Sequence, residues 1–154
     1  MKRLLAVAAV AALVGSVLAA VNASGTPARR GGHHGSKTIV VHETATFTSQ
    51  VDNAPRGPSA GDTFTFTGRL AGRTSATEQG SCTLVTATAS QCSISGFFAA
   101  GQLVFTGAVP LDRTHFQVPL VGGTGRFARA GGFADVHVLN ATGTEADLVI
   151  HVLK

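Results

Sequence analysis

The sequence predicts an all-β domain in which eight antiparallel strands follow one another, as a sandwich or a closed barrel. Three observations lead there. Short runs rich in Thr, Val and Phe alternate apolar and polar residues with the period of a half-buried strand. Segments rich in Gly, Pro, Asn and Asp punctuate those runs at short intervals. Almost nothing in the body of the chain has the apolar spacing of an amphipathic helix. Closure into a barrel removes the edges that so many Thr/Val-rich strands would otherwise expose.

Each element can be justified in turn. Thr38 to Val51 alternates, with Ile39, Val41, Glu43, Ala45 and Phe47 on one face and Val40, His42, Thr44, Thr46 and Thr48 on the other. Val51 to Asp62 holds Pro55, Gly57, Pro58 and Gly61 and reads as a loop. Thr63 to Leu70 sets Phe64, Phe66 and Leu70 against Thr63, Thr65, Thr67 and Arg69. Ser81–Ala89 and Cys92–Phe98 read as a hairpin, followed by Gln102–Val109, which Pro110 ends. Thr114–Val121 puts Phe116, Val118 and Leu120 on one face, and a Gly-rich loop spans Gly122–Gly132. Phe133–Leu139 and Ala146–Leu153 finish the chain across the Asn140–Gly143 turn. Several strands are apolar on both faces, as in Phe97 beside Phe98, Val104 beside Phe105, and Leu148–Val149–Ile150. One face lines the interior, and the other calls for a cover, which makes self-association plausible.

The charge distribution decides between partners. The 154 residues carry 12 Lys+Arg and 8 Asp+Glu, a net +4. Met1–Lys2–Arg3 is a basic head before an uncharged run from Leu4 to Val21, closed by small residues, the pattern of a secretory signal peptide over 1–23. The competing reading is a membrane anchor, for which the Ala-rich run is barely long enough. Residues 24–37, a Gly/Pro/His/Arg stretch without apolar periodicity, read as a flexible tail. From Thr38 onward, the expected barrel domain 38–154, seven basic residues face all eight acids. The basic character therefore belongs to the leader and the tail, and no nucleic-acid partner is expected. The expected location is extracellular or the cell envelope, with no stable membrane insertion after cleavage.

Cys82 and Cys92 fit export, because in an oxidising compartment they most simply form a disulfide across a hairpin. Metal-ligand or reactive thiols are the alternative, but neither a CxxC spacing nor a neighbouring His supports it. No metal site is expected.

Gly96–Phe97–Phe98, Gly101–Gln102–Leu103–Val104–Phe105–Thr106–Gly107 and Phe116–Gln117–Val118–Pro119–Leu120–Val121, followed by Gly122–Gly123–Thr124–Gly125–Arg126–Phe127 and Ala130–Gly131–Gly132, stand in an order that resembles the dirigent proteins and the allene oxide cyclase barrels. Upstream, Gly61–Asp62–Thr63–Phe64 and Gly80–Ser81–Cys82 resemble stretches of the cyclases. The resemblance covers about Thr38 to Lys154. It implies an eight-stranded antiparallel β-barrel, often a homotrimer, with a mainly apolar cavity that holds a reactive apolar small molecule in one conformation. It implies no metal or organic cofactor. Phe47, Phe64, Phe66, Phe105 and Phe116 are the expected cavity walls, and Gly122, Gly123 and Gly125 the expected structural loop.

The expected catalytic residues are Glu43, Arg126 and Arg129. Glu43 matches the cyclases' first-strand Glu and is a lone carboxylate on an apolar face. The plainer reading is a strand-end Glu satisfied by Arg69 or Arg73. Dirigent proteins have an Arg where this chain has Gly131; Arg129 lies two residues earlier, on the same side if the backbone is extended. Arg126 fills the variable position after GGTG. A phosphate loop at Gly122–Gly125 is disfavoured, since no helix is expected to follow it. His33–His34 read as solvated tail, and His115, His137 and His151, with Asp135 and Asp147, as a polar outer face. Asn140–Ala141–Thr142 is a glycosylation sequon in a turn. Two function classes remain: a cofactor-free isomerase or cyclase-like guide for an apolar substrate, and a non-catalytic barrel that binds a lipid-like ligand or serves structurally.

Overall fold

The computed structural model describes residues 35–154, so the expected signal peptide and all but the end of the tail lie outside the described residues. Eight strands form a closed barrel in chain order: β1 (Lys37–Val51), β2 (Thr63–Gly72), β3 (Ala76–Thr86), β4 (Ala89–Phe98), β5 (Gly101–Pro110), β6 (His115–Gly123), β7 (Gly131–Val138) and β8 (Glu145–Leu153). Every pair is antiparallel, and β1 closes the ring against β8, with Ile39 opposite Ile150 and Glu43 opposite Ala146. The sandwich alternative is thereby excluded, and no edge is left to manage.

Alternation assigns the faces as expected. Ile39 and Val41 are buried inside, while Val40 on the opposite face is 59% exposed. A one-residue register shift between Phe47 and Ser49 bends β1 near its end. The barrel has two different ends. One is solid: Ile39, Val41, Phe98, Leu103, Leu120, Phe127, Ala130, Ile150 and Val152 form a continuous core. The Gly-rich loop is its stopper. Gly125–Phe127 makes a single 3-10 turn, and Phe127 meets Phe98 edge-on at 5.7 Å between ring centroids. The turn is pinned to β5 and the turn before it by Thr124 N–H to the Gln102 carbonyl (2.9 Å) and Arg126 N–H to the Ala100 carbonyl (2.8 Å). Backbones approach so closely there that a Cβ on Gly101 would run into the Thr124 carbonyl, and both Gly101 and Gly125 have positive φ. Of the expected loop glycines, Gly122 and Gly123 end β6 and Gly125 opens the 3-10 turn.

The other end carries the β1–β2 loop, the β5–β6 loop and the β7–β8 turn. Buried Asp62 organises the first of these. Its carboxylate accepts the backbone N–H of Asn53 (2.7 Å) and of Ser59 (2.8 Å), bonds that hold its pKa below the ordinary carboxylate value. Asn140 folds the β7–β8 turn by accepting Thr144 N–H and donating to the Thr144 hydroxyl, both at 3.0 Å.

One hairpin differs from expectation. β3 starts at Ala76 rather than Ser81, and the tight turn falls at Ala87–Thr88, so Ala89 opens β4. The early half of β3 escapes alternation because its inward positions are Glu78 and Gly80 instead of apolar residues. Cys82 and Cys92 are direct cross-strand partners in this hairpin and form the expected disulfide, with Cα atoms 4.1 Å apart.

Candidate functional site: an apolar cavity with an acidic floor

Above the solid core the barrel encloses a cavity of about 460 Å³. Phe47, Phe64, Phe66, Phe105 and Phe116 all line it, as expected from the sequence, together with Leu70, Ile94, Val118 and Ile150. Its mouth lies between the β5–β6 loop (Leu111–Thr114) and the β7–β8 turn (Asn140–Gly143). Three rings form an aromatic cluster there: Phe47 meets Phe64 edge-on at 5.8 Å, and Phe64 lies 6.5 Å from Phe66. The Phe66 ring occupies the space that a side chain on Gly80 would take. The Cys82–Cys92 disulfide is part of the wall, so its sulfurs serve as apolar surface and not as thiols.

Two carboxyls line this cavity, Glu43 half-buried and Glu78 buried. Glu43 faces inward from β1, as alternation requires. Its partner is neither Arg69 nor Arg73, both of which are exposed, but Glu78 on β3, whose carboxyl lies within hydrogen-bonding reach of it. Glu78 is 5% exposed, and its Oε1 has no hydrogen-bond partner. The neighbouring strands make room for it. Its cross-strand partners are Gly68 on β2 and Gly96 on β4, and Oε1 fills the place of the missing Gly68 side chain. Burial, then the hydrogen bond and the negative charge of Glu43, push Glu78 up to about 9. Glu78 is thus a neutral acid near pH 7, able to donate its proton in a hydrogen bond to Glu43.

The arginines expected beside Glu43 are elsewhere. Arg126 and Arg129 are exposed residues of the stopper loop, at the barrel's closed end, and neither lines the cavity. Extended-chain alternation does not apply to Arg129, because the preceding 3-10 turn and its own φ of 63° break the extended backbone. Glu78 was missed because a Thr-Glu-Gln-Gly run resembles a polar turn. The available signal was the pair of glycines, Gly68 and Gly96, interrupting alternating strands on either side.

His42, His115, His137 and His151 sit on the outer face. His42 contacts Asp147 at 2.9 Å, and His151 contacts Asp135 at 3.1 Å while stacking on Phe133. His115 and His137 pair edge-on. Among the described residues no group of three or more His, Cys, Asp or Glu is placed to hold a metal ion.

A closed eight-stranded antiparallel barrel of this form is the fold of the dirigent proteins and of the allene oxide cyclase-like cyclase barrels. Solved structures show the likeness. A cyclase described as non-specifically heme-binding, which catalyses a cycloaddition in neoabyssomicin biosynthesis, matches with TM-score 0.65 and 18% identity over 80% of this chain and 68% of its own. A pyocyanin demethylase matches with TM-score 0.62 and 20% identity over 73% of this chain and 99% of its own. A pterocarpan synthase dirigent protein matches with TM-score 0.61 and 16% identity over 84% of this chain and 94% of its own. No protein-family model matches the sequence, and no curated protein is similar to it in sequence.

Proposed function

We propose that this barrel is an exported protein that binds an apolar small molecule and guides its cyclisation or isomerisation. The observation that carries the reading is the cavity: apolar walls, an aromatic mouth, and polar groups reduced at depth to one carboxyl pair. Such walls favour ligand surface over water. Holding a flexible molecule near the geometry of ring closure removes most of the entropic barrier, and excluding water protects a reactive intermediate. A cyclisation or isomerisation is redox-neutral, and the carboxyl pair is the polar group placed to orient the ligand for it. The disulfide fits an oxidising compartment. A homotrimer would cover the half-exposed Val40, Val121 and Leu153 on the outer face.

The test is a fluorescence titration with the neutral apolar dye N-phenyl-naphthylamine. Saturable one-to-one binding that is lost in Ala45→Phe, which fills the cavity beside Gly68, supports the reading. Absence of saturable binding, or equal binding by an Ala45→Phe variant that unfolds as cooperatively as the parent, overturns it. Binding without turnover of any cyclisable ligand would leave a non-catalytic carrier.

A further inference from the structure

Among the described residues, the carboxyl pair has no cation to meet within the cavity. The titratable groups lining it are Glu43, Glu78, Asp112 and Arg113. The last two belong to the rim, where the exposed Arg113 guanidinium lies 3.9 Å from Asp112. The strands flanking the carboxyls contribute only uncharged partners: Gly68 and Gly96 beside Glu78, Leu70 and Ala146 beside Glu43. Glu78 is more than nine-tenths buried, lines the cavity, and keeps one oxygen unpartnered. A buried carboxyl without a partner is costly, and a cation is the group that satisfies it best.

We propose that the cavity selects an amphiphilic organic cation, an apolar body bearing one basic nitrogen whose N–H groups are received by Glu43 and Glu78. This rests on the reading of the cavity as an apolar-ligand site and names the class of ligand it takes. The dimensions fit. Glu43 and Phe47 are four residues apart on β1, about 13 Å along the strand, which sets the span from ammonium to aromatic mouth. A volume of 460 Å³ holds on the order of 15 heavy atoms at ~30 Å³ each. A bound ammonium offsets both influences that keep Glu78 protonated, the loss of water and the charge of Glu43. Binding near neutral pH therefore releases the Glu78 proton to solvent, leaving a carboxylate–ammonium contact. Inside an apolar cavity such a contact is screened far less than at a surface.

The experiment uses isothermal titration of the full mature protein with decylamine hydrochloride, decanol and decanoic acid at pH 7, in two buffers of different ionisation enthalpy. The ammonium is expected to bind at least tenfold tighter than the alcohol, with proton release, and the carboxylate to bind weakest. In Glu78→Gln the preference of ammonium over alcohol falls to within about twofold and the proton release disappears. Alcohol binding as tightly as the ammonium, or a preference that survives in Glu78→Gln and in Glu43→Gln, overturns the inference while leaving the apolar-ligand reading in place. Failure of all three probes to bind overturns both.

Discussion

The carboxyl of Glu78 occupies the space that a side chain on Gly68 would fill. The two residues face each other across the β2–β3 ladder, so the glycine gives the acid its berth in the wall. Substitution of Gly68 by Ala puts a methyl group into that berth, and the end of Glu78 must swing into the cavity. There it loses part of its burial, the main reason its proton is held so tightly. The expected outcome for Gly68→Ala is a folded barrel in which Glu78 titrates at least one unit lower than in the parent, read from carboxyl carbon shifts in NMR. An unchanged titration would mean that the glycine does not position the acid.

Glu78 also gives stability a definite pH dependence. Its pKa rises from an ordinary 4.5 to about 9 on folding, so between those values the folded state binds more protons than the unfolded one. The slope of unfolding free energy with pH is then negative. The group's favourable contribution is complete below about pH 4.5 and is lost as pH climbs toward 9. Asp62 works in the opposite sense at the acid end: its pKa is lowered, so what it contributes is present at neutral pH and lost as pH falls through its folded value. Glu78→Gln, which keeps the shape and removes the charge, is expected to stabilise the barrel by roughly 1–3 kcal/mol at pH 8 and by little at pH 4. Urea midpoints across that range measure it. A destabilised variant at pH 8 would contradict the buried-acid assignment.

The Cys82–Cys92 bond closes a short loop around the tight β3–β4 hairpin. In the chain-entropy model a loop of this size contributes roughly 2–3 kcal/mol. The double variant Cys82→Ser/Cys92→Ser is expected to lose about that much in urea unfolding, and two hydroxyls added to an apolar wall should weaken dye binding as well. Reduction of the parent protein without loss of stability would show that the bond does not brace the wall.

The stopper loop makes a separable prediction. Phe127 is 4% exposed, meets Phe98 edge-on, and lies under the Lys37 ammonium at 5.9 Å. Truncating a buried Phe of this kind costs about 3–5 kcal/mol. Phe127→Ala is therefore expected to lower the urea midpoint sharply, and a loss under 1 kcal/mol would mean that the loop does not seal the barrel.

Much of this barrel was legible in the sequence, and the exceptions share a cause. Strands whose inward residues are apolar, such as the one holding Phe64, Phe66 and Leu70, announce themselves by alternation. β3 does not, because its inward positions carry Glu78 and Gly80. The local rule failed where the candidate site lies, as it does when function overrides regular packing. Glu43 stood out as an acid on an apolar face, but its partner could not be found from its own strand, since β1 and β3 are not neighbours. Arg129 was placed by extending strand geometry through a Gly-rich loop, and Arg126 by its position after the GGTG run. The 3-10 turn and the positive φ of Arg129 put them on the outside of the closed end instead.

The central claim, that the barrel holds an apolar small molecule, is most directly tested by native mass spectrometry of the protein purified from its own source without detergent. One retained small molecule per barrel, recoverable into organic solvent, is the expected result, and the same spectrum gives the number of chains per assembly. Bare chains alone, with nothing in the organic extract, would contradict the claim.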